Sequence, residues 1–114
     1  MLNKNIFINI INNKKCDKII YKDKLVTAFH DIKPKTPVHI IIVTNKCIPT
    51  VNDVTHNDEM MLGRLFTVAS KLAKKMSISK NGYRLVVNCN NHGGQIINHL
   101  HMHLIGGKVL GNFF

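Results

Sequence analysis

His99-Leu100-His101-Met102-His103-Leu104 is the stretch on which the reading of this chain turns. Histidine alternates in it with an apolar side chain at a period of two, the repeat of an extended strand whose successive side chains point to opposite faces. Leu100, Met102 and Leu104 then face a core, and His99, His101 and His103 share the other face. A helix would scatter the three rings about its axis. The chain holds seven histidines in 114 residues. At that frequency chance supplies roughly 0.02–0.03 occurrences of His-x-His-x-His, so the pattern survives a template count. A last strand over residues 98–105 is predicted.

Upstream of it, a polar glycine loop at residues 90–94 follows a strand over residues 83–88, which Asn81-Gly82 turns into. Residues 57–76 form the one long helix expected, with Leu62, Leu65, Phe66, Ala69, Leu72, Ala73 and Met76 as its apolar stripe. Thr55 and Asp58 have the spacing of a capping box, and Lys74 and Lys75 suit the negative helix end. Val38–Thr44 is β-branched and apolar on both faces apart from His39, which predicts a central strand. Residues 31–37 carry two prolines and form a loop. Runs at 18–23 and 25–31 are strands, and residues 5–12 set Ile6, Phe7, Ile10 and Ile11 at helical spacing. The sum is an α+β domain with a five-stranded antiparallel sheet, one long helix and one short helix.

A chain of 114 residues has room for a single domain, here residues 1–114. Its 45% apolar content excludes disorder, and the lack of a long apolar run excludes a membrane span. No small-residue cleavage site follows the N-terminal segment, so a cytoplasmic protein is expected. Cys16, Cys47 and Cys89 are odd in number and far apart. They suggest small buried or half-buried apolar residues rather than disulfides or a zinc knuckle.

Sixteen Lys+Arg against six Asp+Glu give a net charge of +10. Only Arg64 and Arg84 are arginine, and Lys, Asn and Ile, all abundant here, share A/T-rich codons. The lysines are not interleaved with aromatics as base-stacking surfaces require, so a nucleic-acid partner is not expected. A basic surface does suit a phosphate-bearing small molecule.

Two chemistries compete for the histidines. Same-face residues lie roughly 6.5–7 Å apart along a strand, which spreads His99 and His103 over roughly 13 Å. One metal ion rarely takes all three, and no carboxylate or thiolate stands at ligand spacing in the segment. A neutral imidazole is a good nucleophile near pH 7, and the bare backbone of Gly93-Gly94 offers N–H groups to phosphate oxygens.

From Asn5-Ile6-Phe7, with Ile10-Ile11, to Gly106-Gly107 the chain resembles the histidine-triad (HIT) family, in its bacterial nucleoside phosphoramidase branch. The matching stretches are Ala28-Phe29-His30-Asp31-Ile32, Pro37-Val38-His39, Pro49-Thr50-Val51-Asn52-Asp53-Val54, Gly82-Tyr83-Arg84-Leu85, Val87-Asn88, His92-Gly93-Gly94-Gln95 and His99 to Gly107. The resemblance implies the HIT fold, paired into a ten-stranded sheet in a homodimer, with no metal or cofactor. It implies hydrolysis of purine nucleoside 5′-phosphoramidates (AMP or GMP joined to an amine) through a nucleotidyl-histidine at His101. The backbone carbonyl of His99 would orient the His101 ring, while His103 and His39 assist at the phosphoryl group and the leaving amine. Asp31 would bind the ribose, and Phe7, Ile10 and Ile32 the purine. Asn88 and the Gly94-Gln95 backbone would hold the phosphate.

Blander readings stand beside these. His39 could be a satisfied core histidine, Asp31 a turn residue, Phe7 and Ile10 core, and His30, His56 and His92 surface residues. Ile96 and Cys47 stand where relatives carry a polar residue and, in some, a zinc-binding histidine. A nucleotide-binding regulatory module with little turnover, or a zinc- or nucleic-acid-binding protein, are the competing functions.

Overall fold

The computed structural model describes residues 6–13 and 18–113. Asn5 of the expected first helix, Cys16 and Phe114 lie outside the described residues. The order of elements is α1 (Ile6–Asn12), β1 (Ile19–Lys22), β2 (Val26–His30), β3 (Val38–Thr44), α2 (Glu59–Lys75), β4 (Tyr83–Val86), α3 (Asn90–Gly93) and β5 (His101–Gly106). The strands form one antiparallel sheet in the order β1-β2-β3-β5-β4.

The β-branched run of β3 takes the centre of the sheet because both of its faces are covered. Ile40 and Ile42, with Val26, Ala28, Met102 and Leu104, pack against Leu65, Val68, Ala69, Leu72 and Ala73 of α2. On the other face Ile41, Val43 and Phe29 meet Phe7 and Ile11 of α1. The α1 helix is short, so it covers the β2–β3 part of that face and reaches β5 at His101. The β5–β4 side stays open, and there His101 and His103 line a cleft.

Several boundaries move. The strand predicted over 98–105 begins at His101, because the backbone before it is tied elsewhere: the Leu100 N–H donates to the Ile48 carbonyl at 2.7 Å. The long helix starts at Glu59 rather than 57, since the Thr55–Asp58 capping box closes a short 3-10 turn (His56–Asp58) ahead of it. Its stripe is also rotated: Phe66 is 58% exposed, while Met61 and Val68 face inward. The expected glycine loop at 90–94 contains a one-turn helix, α3, which Gly94 ends in a left-handed conformation (φ 83°). Cys89 is half-buried as expected, but Cys47 is exposed. Gly106 and Gly107, which end the matching stretch, have packing reasons. A Cβ on Gly106 would lie 3.0 Å from Ile78 Cδ1, and one on Gly107 would lie 3.0 Å from Pro37 Cβ at a φ of 93°. No helix among the described residues is long and apolar enough to cross a membrane.

Candidate active site

The open half of the sheet carries a cleft of about 360 Å³. His39, His101 and His103 line it together with Asp31 and Asn88. Register brings them there: β3 pairs with β5 so that Ile41 faces His103 and His39 faces Ile105. A smaller cleft of about 180 Å³ adjoins the first and is lined by Ile6, Ile10, Lys18, Phe29, His30 and Ile32. Phe7, Asp31, Ile41 and Ile97 line both.

Hydrogen-bond partners fix where the ring protons sit. His101 Nδ1 lies 2.6 Å from the His99 carbonyl oxygen. A carbonyl only accepts, so Nδ1 carries the proton and Nε2 keeps the lone pair. His39 Nδ1 accepts the Lys35 backbone N–H at 3.0 Å, which puts the His39 proton on Nε2. That Nε2 lies 3.0 Å from His103 Nδ1 and 3.4 Å from Asp31 Oδ2. His103 Nδ1 therefore accepts, and His103 Nε2–H is a donor. The cleft thus presents a nucleophilic nitrogen on one ring and an N–H donor on its neighbour, with ring centroids 5.0 Å apart.

Burial keeps all of these rings neutral. It is the largest cause pushing His101 below the ordinary imidazole value, against the His99 carbonyl. His103 is pushed down to about 4 by burial and then by its neighbours His101 and His39. His39 falls for the same first reason, with Asp31 opposing and Lys35 assisting.

His99 departs from the expected arrangement. It is fully buried, outside both clefts, and its Nε2–H donates to the Thr44 carbonyl at 2.7 Å. Its Nδ1 is the one buried side-chain polar atom without a partner among the described residues. What it offers the cleft is its backbone carbonyl, as expected, held still by a ring anchored to β3.

The Gly94-Gln95 backbone does not offer the expected donors. The Gly94 N–H donates to Asn91 O and the Gln95 N–H to Asn90 O, each at 3.0 Å, closing the turn of α3. The Gln95 side chain is a brace: Oε1 accepts from Asn90 N, and Nε2 donates to Pro49 O and Ile97 O. Gly94 still lines the cleft.

The remaining candidates divide more simply. Asn88 lines the larger cleft, and Ile10 and Ile32 the smaller. Phe7 is buried but packs edge-on against His101 at 4.9 Å between centroids, so it is both core and wall. Asp31 is a turn residue, its Oδ1 accepting the Lys33 N–H at 2.8 Å, and it also lines both clefts. His30, His56 and His92 are exposed. Several contributors were not foreseen. Ile41 and Ile105 stand two residues from His39 and His103, so strand alternation could have pointed to them. Nothing in the sequence marks Thr44 O or the Lys35 N–H.

Asp31, His39 and His103 place three potential metal-ligating atoms within 4.8 Å of one another. The donor set does not suit an ion. A metal at His39 Nε2 would force the ring proton onto Nδ1, against the Lys35 N–H that already points there.

A family model described as the HIT domain matches residues 12–110. The chain is 51% identical over 111 residues to a protein of Escherichia coli (strain K12) named purine nucleoside phosphoramidase, covering 97% of this chain and 93% of that one. Among solved structures it is similar to a HIT family hydrolase from Legionella pneumophila Philadelphia 1, with a TM-score of 0.88 and 39% identity over 93% of this chain and 95% of that one. A histidine triad protein from Clostridium difficile superposes with a TM-score of 0.89 at 33% identity, covering 96% and 95% of the two chains.

Proposed function

The chain belongs to the HIT family, and from that premise we propose that it hydrolyses purine nucleoside 5′-phosphoramidates through a covalent nucleotide on His101. The observation that carries the reading is the His101 ring lining the larger cleft, its proton held on Nδ1 by the His99 carbonyl and its Nε2 lone pair available. The relative named for this activity, 51% identical over nearly the whole chain, supports the same substrate class.

The purine occupies the smaller apolar cleft, beside Phe7, Ile10 and Ile32, and the phosphate lies over His101. Nε2 attacks phosphorus, the P–N bond breaks, and its electron pair leaves with the amine. The amine takes a solvent proton through the open cleft, while His103 Nε2–H hydrogen-bonds the phosphoryl group at the leaving side. Charge that builds on the His101 ring is stabilised by the short bond from Nδ1–H to the His99 carbonyl. His39 holds His103 in the donor tautomer. Water then attacks phosphorus, releases the nucleotide and returns the proton taken up in the first half. Asn88 holds the phosphate end. The reading carries with it a single domain, a homodimer and a cytoplasmic place of action. The sheet edges at β1 and β4 leave backbone groups that a second copy could pair.

Rapid-quench mass spectrometry with an adenosine 5′-phosphoramidate tests the proposal. One AMP on the protein together with release of free AMP is the expected result. Binding with neither adduct nor product favours the regulatory module instead.

Asp31 supplies a second check. Hydrogen bonds to a charged group are worth about 1.5–3 kcal/mol, so Asp31→Ala should weaken ribonucleotide binding about tenfold to a hundredfold. The 2′,3′-dideoxy counterpart lacks the hydroxyls and should lose far less. Equal losses for both, measured by calorimetry, would remove the ribose role.

A further inference from the structure

Lys35 is the single Lys or Arg side chain among the residues lining the larger cleft, and it does not line the smaller one. Its position is set from the backbone, because the Lys35 N–H is bonded to His39 Nδ1. The ion pairs of Lys and Arg among the described residues engage Lys46 and Arg64, and Lys35 is in none of them. Its charge is close enough to His39 to help keep that ring neutral. With the cleft histidines neutral, Lys35 is the one cation lining this cleft among the described residues, and Lys18 lines the smaller one.

The geometry of the reaction says what that cation can meet. In an in-line displacement the leaving group stands opposite the nucleophile. With the base in the smaller cleft and His101 at phosphorus, the amine lies in the part of the larger cleft that the base does not use. That part holds Lys35, His39 and His103, with Val86, Ile96 and Ile105 as apolar walls. Val86, Ile96 and Ile105 cannot neutralise a charge on the amine, whereas the ammonium on its four-carbon stem can.

We propose that Lys35 is a specificity residue that selects substrates whose leaving amine carries a carboxylate, such as a nucleotide joined through nitrogen to an amino acid. This rests on the phosphoramidase reading above. The test uses the adenosine 5′-phosphoramidates of glycine and of glycinamide, which differ in one carboxylate, with the wild type, Lys35→Gln and Lys35→Arg. The readout is the ratio of kcat/KM for the two substrates. Comparing that ratio between proteins cancels the unequal reactivity of the two amines, and a general disturbance of the fold does not move it.

The ratio should fall about threefold to fivefold in Lys35→Gln, the size expected of a solvent-exposed ion pair. It should be kept in Lys35→Arg and shrink with added salt in the wild type. An unchanged ratio, or equal slowing of both substrates, overturns the proposal, because Lys35 then serves only the phosphate common to both. Failure of the wild type to turn over either compound overturns the phosphoramidase reading itself, and this proposal with it.

Discussion

His101→Ala should lower turnover of an adenosine 5′-phosphoramidate by about four orders of magnitude or more, the usual scale for loss of a covalent nucleophile. It should also abolish the protein-bound AMP. Nothing else in the cleft can replace the missing nitrogen. His103 carries its proton on Nε2 and turns its Nδ1 lone pair to His39, and the His39 lone pair is taken by the Lys35 N–H. His99 is fully buried away from the cleft. Because His101 packs against Phe7, the variant needs a folding control by circular dichroism. Nucleotide binding measured on the same sample separates lost chemistry from a lost site. Binding should persist, since the purine cleft and Asp31 remain. An adduct surviving on His101→Ala, or turnover within tenfold of wild type, would place the nucleophile elsewhere.

The residues through which this chemistry can be read from sequence are those whose signal is periodic. Alternation exposes His101 and His103 because a strand converts spacing into a shared face, and the β-branched run of β3 is legible because a central strand is buried on both sides. His99 has the same spacing yet lies elsewhere, since the chain before His101 leaves the ladder to bond Ile48. The failure at Gly94-Gln95 has a different cause. Glycine signals freedom of backbone, not which carbonyl an N–H will find, and here the Asn90 and Asn91 carbonyls of α3 take both. Likewise the Asp58 capping box was legible as a pair, but not that it would close a 3-10 turn before α2. The Lys35 N–H and the Thr44 carbonyl act through backbone atoms that every residue has, so no side-chain pattern could mark them. The purine residues are of a third kind: Phe7 and Ile10 look like core by spacing, and only the family resemblance moved them to a cleft wall.

Burying histidines that must stay neutral has a consequence for stability, and it gives a second large effect. His39, His99, His101 and His103 all have folded-state values below the ordinary imidazole value, with burial the leading cause for each. A depressed value means that the unfolded chain binds protons more readily than the folded one. Stability from these groups is therefore fully present above about pH 6.5 and lost as pH falls. For His103 the loss runs from the ordinary imidazole value of 6.5 down to about 4. At about 1.4 kcal/mol per pH unit, that ring alone removes on the order of 3 kcal/mol, and the other three act in the same direction. Against a typical domain stability of about 5–15 kcal/mol, that is a marked loss of stability in mild acid. The carboxylates contribute in a lower window, since Asp23 is held down to about 2 and Asp58 is also lowered. Urea unfolding at steps between pH 8 and pH 4.5 should show stability flat above about pH 7 and falling steeply below about 6.5. His103→Asn keeps an acceptor for the His39 Nε2–H without a titrating ring, so its curve should fall less steeply in that window. A wild-type stability that holds or rises from pH 6.5 to 4.5, or an unchanged slope in His103→Asn, would mean that the rings are not held neutral, and the tautomers on which the His101 lone pair depends would have to be reassigned.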